Sequence, residues 1–348
     1  MNIHEKYINR CIELARNGLG RTWPNPLVGS VIVHKGHIIG EGWHRRAGDA
    51  HAEVNAINAV KDQAMLKEAA IYVSLEPCSH YGKTPPCSNL IIDSGIKKII
   101  IGTIDPFGEV RGKGIKKLLD AGCQVTVGVL EKACQDLNRR FFTYHTQRRP
   151  YIILKWAESR DGFIAPFEHK EAGRRPVWIS NLISRQLVHK WRAEEQAILV
   201  GTRTALKDNP RLNTRHWSGA DPIRIVIDRK RTIPLESHLF DRSVKTIVLT
   251  EENSRDEGEN LVFEHLSFSQ NFREKFCDLL YDHEIQSLLV EGGTFTLQAL
   301  IDQGLWDEAR IFRGPAALEE GIPAPVISGR VESCLDIAGD KLQILRND

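Results

Sequence analysis

The sequence predicts an α/β protein built as two successive domains. Three observations carry this. The chain has 348 residues, more than a single core usually serves. Short β-branched runs alternate with amphipathic stretches, the pattern of a sheet with helices on its faces. The alternation breaks at residues 143–150 (TYHTQRRP), which are polar, basic and end in proline. The expected domains are therefore residues 1–146 and 147–348.

The elements follow in order. Residues 3–17 place Ile8, Cys11, Ile12 and Ala15 on one helical stripe, ended by Gly18 and Gly20. VGSVIV (28–33) and HIIGEGW (37–43) read as a hairpin turning at Lys35-Gly36. Residues 51–63 predict a helix with Val54, Ile57 and Val60 on one side and His51 and Glu53 in its first turn. AAIYVSL (69–75) is a strand ended by Glu76-Pro77, and residues 87–94 are a short helix stopped by Gly95. A strand (97–104), a helix (112–122) and a strand (124–130) complete the first half. In the second half YIILKWA, QAILVG, PIRIVID, KTIVLT and QSLLVEGG are strands, and residues 181–195 a helix. Residues 201–215 read as a polar loop around a proline turn, and residues 251–260 as a solvated acidic loop. There is no internal repeat and no low-complexity tract.

Composition narrows the class. A formal net charge of +2 argues against a dedicated nucleic-acid binder, which carries a basic stripe. The first residues show no apolar signal core, and no long uncharged apolar run follows, so no membrane partner and a cytoplasmic location are expected. Seven cysteines scattered over so long a chain do not make a disulfide framework. Cys11, Cys123, Cys134, Cys277 and Cys334 read as ordinary core or surface thiols. A homo-oligomer, dimer or tetramer, is expected.

Chemistry concentrates at His51-Ala52-Glu53, then Pro77-Cys78, then Cys87. One His and two Cys give zinc three protein ligands and leave a fourth position open for water, which the ion acidifies. Glu53 lies two residues past His51, so it does not reach the same ion from one helix face and is free to move protons. The order H-x-E then P-C matches the signature of zinc deaminases acting on nucleobases. The competing reading is a structural site, which closes with four protein ligands. No further Cys lies two residues from Cys78 or Cys87, and His80, the nearby spare, is expected to face substrate or solvent. Both Cys87 and His51 begin helices in this reading, where thiolate is favoured over thiol.

The second half is less specific. Residues 287–299 (SLLVEGGTFTLQA) run from a buried strand through Glu291-Gly292-Gly293 into a helix opening at Thr294. The glycines and the helix N-terminus suit a phosphate, and they equally suit a tight strand-to-helix turn. No GxGxxG follows any strand, so the dinucleotide fingerprint is absent. Thr204, Asp208, Arg211 and Arg215 cluster in the 201–215 segment, where arginines suit a phosphate ester.

PNPLVG (24–29), HAE (51–53), LEPCSHYGKTPPC (75–87), LKWAESRDG (154–162), GTRTALKDNPRLNTR (201–215) and VEGG (290–293) occur in that order over nearly the whole chain. In this it resembles the bifunctional deaminase/reductases of riboflavin biosynthesis. The resemblance implies a cytidine-deaminase-like three-layer αβα domain followed by a dihydrofolate-reductase-like α/β domain. It implies deamination of a small phosphoribosylaminopyrimidine, then NADPH-dependent reduction of its ribosyl unit to ribityl. Zinc, one ion per deaminase domain, falls on His51, Cys78 and Cys87, with Glu53 as proton donor and acceptor. Asn25 and His44 match positions near the pyrimidine. Ala157, Trp178, Thr204, Asp208, Gly293 and Thr294 match NADP-contacting positions, and Arg192, Leu212, Arg215 and Glu291 substrate-contacting ones. Arg192 and Arg215 are expected to hold the substrate phosphate bidentately.

The chain departs from the family pattern at three places. Phe107-Gly108 replaces Asn-Pro, Pro176 replaces a serine, and residues 314–325 (GPAALEEGIPAP) replace a proline-then-double-glycine loop. Two rival readings are a nucleoside, tRNA-adenosine or free-base deaminase with an appended domain, and a zinc-stabilised nucleotide sensor. The long PC-to-TPPC loop disfavours the first, and Glu53, for which a structural site has no need, disfavours the second.

Overall fold

A computed structural model describes residues 2–79, 81, 85–107, 111–167, 178–252 and 258–347. The chain divides into two compact units, Met1–Arg148 and Arg149–Asp348.

The first unit contains α1 (Ile3–Ala15), β1 (Gly29–His34), β2 (His37–Trp43), α2 (Ala52–Asn58), β3 (Ala70–Leu75), α3 (Cys87–Asp93), β4 (Lys98–Thr103), α4 (Lys113–Asp120), β5 (Gln124–Val127), α5 (Glu131–Leu137) and α6 (Arg139–Gln147). The sheet order is β2-β1-β3-β4-β5, with β1 antiparallel to both neighbours and β3, β4 and β5 parallel. Strand alternation divides the core between the two faces. Ile32, Ile71, Val73, Ile99 and Ile101 pack with Ile57, Ile91 and Leu118 of α2, α3 and α4. Val31, Val33, Tyr72 and Ile100 pack with Tyr7, Ile8 and Cys11 of α1 and Cys134 of α5. This is the three-layer αβα arrangement. A Cβ on Gly42 would lie 2.5 Å from the Ala56 nitrogen, so the glycine lets α2 lie directly on β2.

Three local expectations are corrected here. The second helix ends at Asn58, not Gln63, and His51 is its N-cap. The Gln63 amide donates to the Ile57 and Val60 carbonyls, satisfying the helix end from outside while Val60 still reaches the core. The start of the polar 143–150 stretch is the last part of α6, which buries Phe141, Thr143 and Tyr144. Two helices, α5 and α6, thus stand where the sequence reading placed none.

The second unit contains β6 (Tyr151–Glu158), β7 (Phe163–Ala165), α7 (Leu182–Glu194), β8 (Ala197–Gly201), α8 (Thr202–Asp208), β9 (Ile223–Ile227), β10 (Thr246–Thr250), β11 (Leu261–His265), α9 (Phe272–Asp282), β12 (Ser287–Val290), α10 (Thr294–Asp302), β13 (Glu308–Arg313), β14 (Ile322–Pro323), β15 (Arg330–Ile337) and β16 (Asp340–Arg346). Nine strands form one sheet in the order β11-β10-β9-β8-β12-β6-β13-β16-β15. The seven from β11 to β13 are parallel, and β16 and β15 close the edge antiparallel. Ile152, Leu154, Leu199 and Val290 pack under α9 and α10 through Phe276, Leu280, Leu297 and Leu300. Ile153, Ile198, Val200 and Leu289 pack with Val188 and Trp191 of α7 on the other face. The expected 201–215 loop is half helix: α8 runs to Asp208, and Asn209 at φ 40° ends it before Pro210. The 251–260 expectation falls largely on residues 253–257, outside the described residues.

Candidate active sites

The first site gathers at the carboxyl ends of parallel strands, the usual place for ligands in such sheets. His51 caps α2, Cys78 follows the end of β3, and Cys87 is the first residue of α3. The His51 Nδ1 lies 3.6 Å from Cys78 Sγ and 3.3 Å from Cys87 Sγ. The three donor atoms all lie within 4.8 Å of one another, the one such group among the described residues. Zinc bonds of ~2.0–2.3 Å at tetrahedral angles put donors roughly 3.5–3.8 Å apart. Donor type and spacing both fit zinc with three protein ligands.

Electrostatics divides the roles. The hydrogen bond with Cys87, then that with His51, holds the Cys78 thiol down to about 4, against the effect of burial. Cys87 is raised in turn, first by Cys78 and then by burial. The Cys87 N–H donates to Cys78 Sγ at 3.3 Å. Glu53 is 3% exposed, and burial, then the charge of Cys78, pushes its carboxyl up to about 7. That is the range in which a carboxyl both takes and gives protons near neutral pH.

Asn25 and His44 are brought to the same place. The Ala50 carbonyl can only accept, so the His44 Nδ1 at 3.2 Å carries the proton. The bare Nε2 then accepts from Asn25 Nδ2 at 3.0 Å. The His44 ring stands edge-on to His51, centroids 5.4 Å apart. Asn55 of α2 donates to the Trp43 and Ala50 carbonyls and so braces the chain that carries His44. Asn55 is a residue the sequence reading missed, and its sole signal was a polar side chain on a helix otherwise turned to the core. His80 lies outside the described residues.

In the second unit Ala157, Glu291, Gly293 and Thr294 lie at or just past the carboxyl ends of β6 and β12, and Thr204 in the first turn of α8, which follows β8. The Gly293 N–H donates to Thr204 Oγ1 at 3.1 Å, tying the turn before α10 to α8. Thr294 Oγ1 donates to the Pro323 carbonyl. Ala157 lies at the end of β6, paired with Phe312. Arg192 donates through Nε and Nη2 to the two oxygens of Glu291, and through Nη1 to the Asn213 carbonyl at 3.1 Å. Its Nε and Nη2 fork meets the Glu291 carboxylate. Leu212, buried with φ 53°, directs the chain into that contact. Arg215 is exposed and donates to Asn213 Oδ1 at 3.1 Å. Trp178 stands 59% exposed with the Arg185 guanidinium 4.1 Å above its ring, and Asp208 sits at the exposed far end of α8. Pro176 lies outside the described residues.

Two further residues join this cluster. Lys155 Nζ is 3.9 Å from Glu291, and burial lowers its pKa. Its signal was a lysine inside the apolar run YIILKWA. His189 of α7 is buried beside Arg192, Arg215 and His216, and burial, then these neighbours with Arg192 first, depress it to about 4. One histidine in a helix carries no comparable signal.

Known proteins agree with this division. The model of the cytidine and deoxycytidylate deaminase zinc-binding region matches residues 1–103, and that of the RibD C-terminal domain matches residues 150–329. The riboflavin biosynthesis protein RibD of Aquifex aeolicus is 38% identical over 99% of this chain and 97% of its own. The chain belongs to the RibD family. It accordingly joins a zinc-deaminase half to a reductase half of riboflavin biosynthesis. The RibD protein of Escherichia coli is 36% identical, over 90% of this chain and 88% of its own. The crystal structure of a diaminohydroxyphosphoribosylaminopyrimidine deaminase/5-amino-6-(5-phosphoribosylamino)uracil reductase from Thermotoga maritima matches with a TM-score of 0.89 at 35% identity, covering 99% of both chains. RibD of Acinetobacter baumannii matches with a TM-score of 0.88 at 30% identity, over 99% and 98% of the two chains. No helix among the described residues of this RibD-family chain is long and apolar enough to cross a membrane.

Proposed function

We propose that the chain deaminates 2,5-diamino-6-(5-phosphoribosylamino)pyrimidin-4-one to 5-amino-6-(5-phosphoribosylamino)uracil, then uses NADPH to reduce the ribosyl group to ribityl. The observation that carries the reading is one His nitrogen and two Cys sulfurs converging beside the buried Glu53 carboxyl. His51, Cys78 and Cys87 would hold zinc, which when bound acidifies a water towards neutral pH. Glu53 takes the first proton that water loses and delivers it to the ring nitrogen, then carries the remaining hydroxyl proton to the amine, which leaves as ammonia. Water is consumed, the exocyclic C–N bond to the amino group breaks and a C–O bond replaces it. Asn25, oriented by His44, holds the ring edge beside Glu53.

In the second unit Gly293 and Thr294, at the start of α10, together with Thr204, Ala157, Trp178 and Asp208, would hold NADPH, which supplies the hydride. The first-turn N–H groups of a helix favour phosphate. The two glycines leave no side chain between that backbone and a ligand. Arg215 meets the substrate phosphate, while Glu291, Arg192 and Leu212 line the substrate side. The protein acts in the cytoplasm as a homo-oligomer.

The test follows ammonia release and NADPH oxidation together, using zinc-loaded protein and the diaminopyrimidine phosphoriboside. Ammonia followed by NADPH consumption is the expected result. Turnover of cytidine or adenosine in place of this substrate would refute the assignment.

A further inference from the structure

We propose that Asn138 is a positioning residue of the deaminase pocket, acting through the loop that carries Asn25. The inference rests on the deaminase reading above. Asn138 lies at the junction of α5 and α6, beyond the residues matched by the deaminase-region model and before those matched by the reductase model.

Asn138 is 2% exposed. Its Oδ1 accepts from the Leu27 N–H at 2.7 Å, and its Nδ2 donates to the Leu27 carbonyl at 2.8 Å, across 111 residues of chain. A peptide N–H can only donate and its carbonyl only accept, so one orientation of the amide satisfies both groups. The side chain thus copies a strand partner for a single residue of the PNPLVG segment. Two residues earlier in that segment is Asn25, bonded to His44, whose ring abuts His51.

The clamp is itself rigidly held. The Asn138 N–H donates to the Cys134 and Gln135 carbonyls, and its carbonyl accepts from Phe142. Cys134 is fully buried against Tyr7, Cys11 and Ile100. The position of Asn25 is therefore referred to the sheet through α5. Among the described residues Leu27 has no strand partner, and a shift of about 1 Å in a positioning group is enough to cost roughly a hundredfold in rate.

The experiment is a double-mutant cycle on the full chain. Asn138→Asp keeps the shape but turns an acceptor towards the Leu27 carbonyl; Asn138→Ser is the milder second variant if the first does not fold. Each is measured alone and combined with Asn25→Ala. The readouts are ammonia release, calorimetric affinity for the diaminopyrimidine phosphoriboside, zinc content, melting temperature and reduction of the pre-deaminated substrate. Hydrogen exchange at the Leu27 amide is followed in parallel.

The expected result is unchanged zinc content and reductase rate, faster Leu27 exchange, and a roughly tenfold weaker affinity, with KM raised more than kcat is lowered. Combined with Asn25→Ala, the Asn138 change should add no further loss. Additive losses, or an unchanged affinity and an unchanged Leu27 exchange rate in a folded variant, would overturn the proposal. Absence of ammonia from the unmodified protein would refute the reaction, and the affinity and exchange measurements would still decide the role of Asn138.

Discussion

Arg192 and Glu291, 99 residues apart, meet through two parallel bonds of 2.8 Å, Nε to Oε1 and Nη2 to Oε2. The pair joins the last turn of α7 to the carboxyl end of β12, and Lys155 adds a second cation 3.9 Å from the same carboxylate. Glu291→Gln leaves two buried cations without their counter-charge. The second unit should lose about 3–5 kcal/mol of stability. Reductase activity should fall with it, while zinc content in the first unit stays the same. Thermal unfolding followed with metal analysis checks this.

The same carboxylate predicts an acid limb. Burial alone would raise the Glu291 pKa, but Arg192 and Lys155 outweigh it and bring it from 4.5 to about 2. The folded value lies below the unfolded one. The stabilisation is therefore fully present above about pH 4.5 and is lost as pH falls towards 2, on the order of 3 kcal/mol in all. Denaturant unfolding between pH 6 and 2 should show this loss in the unmodified protein, and Glu291→Gln should flatten it.

Glu53→Gln removes the proton carrier without touching a zinc donor. Ammonia release should fall by about 10²–10⁴-fold. Zinc content and reduction of the pre-deaminated substrate should be unchanged. Loss of zinc from this variant would move Glu53 from proton carrier to ligand.

Cys78→Ser puts a hydroxyl, which does not ionise near neutral pH, where Cys87 and His51 favour a thiolate. The variant should lose zinc and deamination and keep reduction of the pre-deaminated substrate. Prolonged chelation of the unmodified protein should have the same effect, reversed by added zinc. If both activities vanish while the fold persists, two independent sites is the wrong description.

The glycines before α10 separate a tight turn from a phosphate cradle. A Cβ on Gly292 would fall 2.9 Å from Thr296 Cβ, and one on Gly201 would fall 2.3 Å from Thr296 Oγ1. A Cβ on Gly293 meets nothing nearer than Thr204 Oγ1 at 3.5 Å, and Gly293 has φ −70°. Gly293→Ala should therefore change stability by no more than about 0.5 kcal/mol. If the backbone there approaches NADPH, its KM should rise severalfold. An unchanged KM would leave the turn as the whole explanation.

The sequence by itself determined the residue types that meet at the first site, the strands of the first sheet and five of the strands of the second. His51, Glu53, Cys78 and Cys87 were legible because zinc constrains residue type and order, and because each stands at the start or end of a short element. Apolar runs such as KKIIIGTI and QAILVG were legible because parallel strands covered on both faces admit little else. Only the tertiary structure decided what depends on charges and amides meeting across the chain. β13 carries Glu308 and Arg310, and β16 carries Arg346. All three are buried because Arg310 pairs with Glu308 at 2.6 Å and Arg346 with Glu308 at 2.7 Å. Read locally, those charges argue against a central strand. Likewise α6 reads as a polar linker, the pairing of Arg192 with Glu291 leaves no mark in the sequence, and Asn138 has no local motif at all. Hydrophobic periodicity reports what a segment hides from water. A buried polar group is explained only by its partner, and Glu308 for Arg346, Glu291 for Arg192 and Leu27 for Asn138 lie from 38 to 111 residues away.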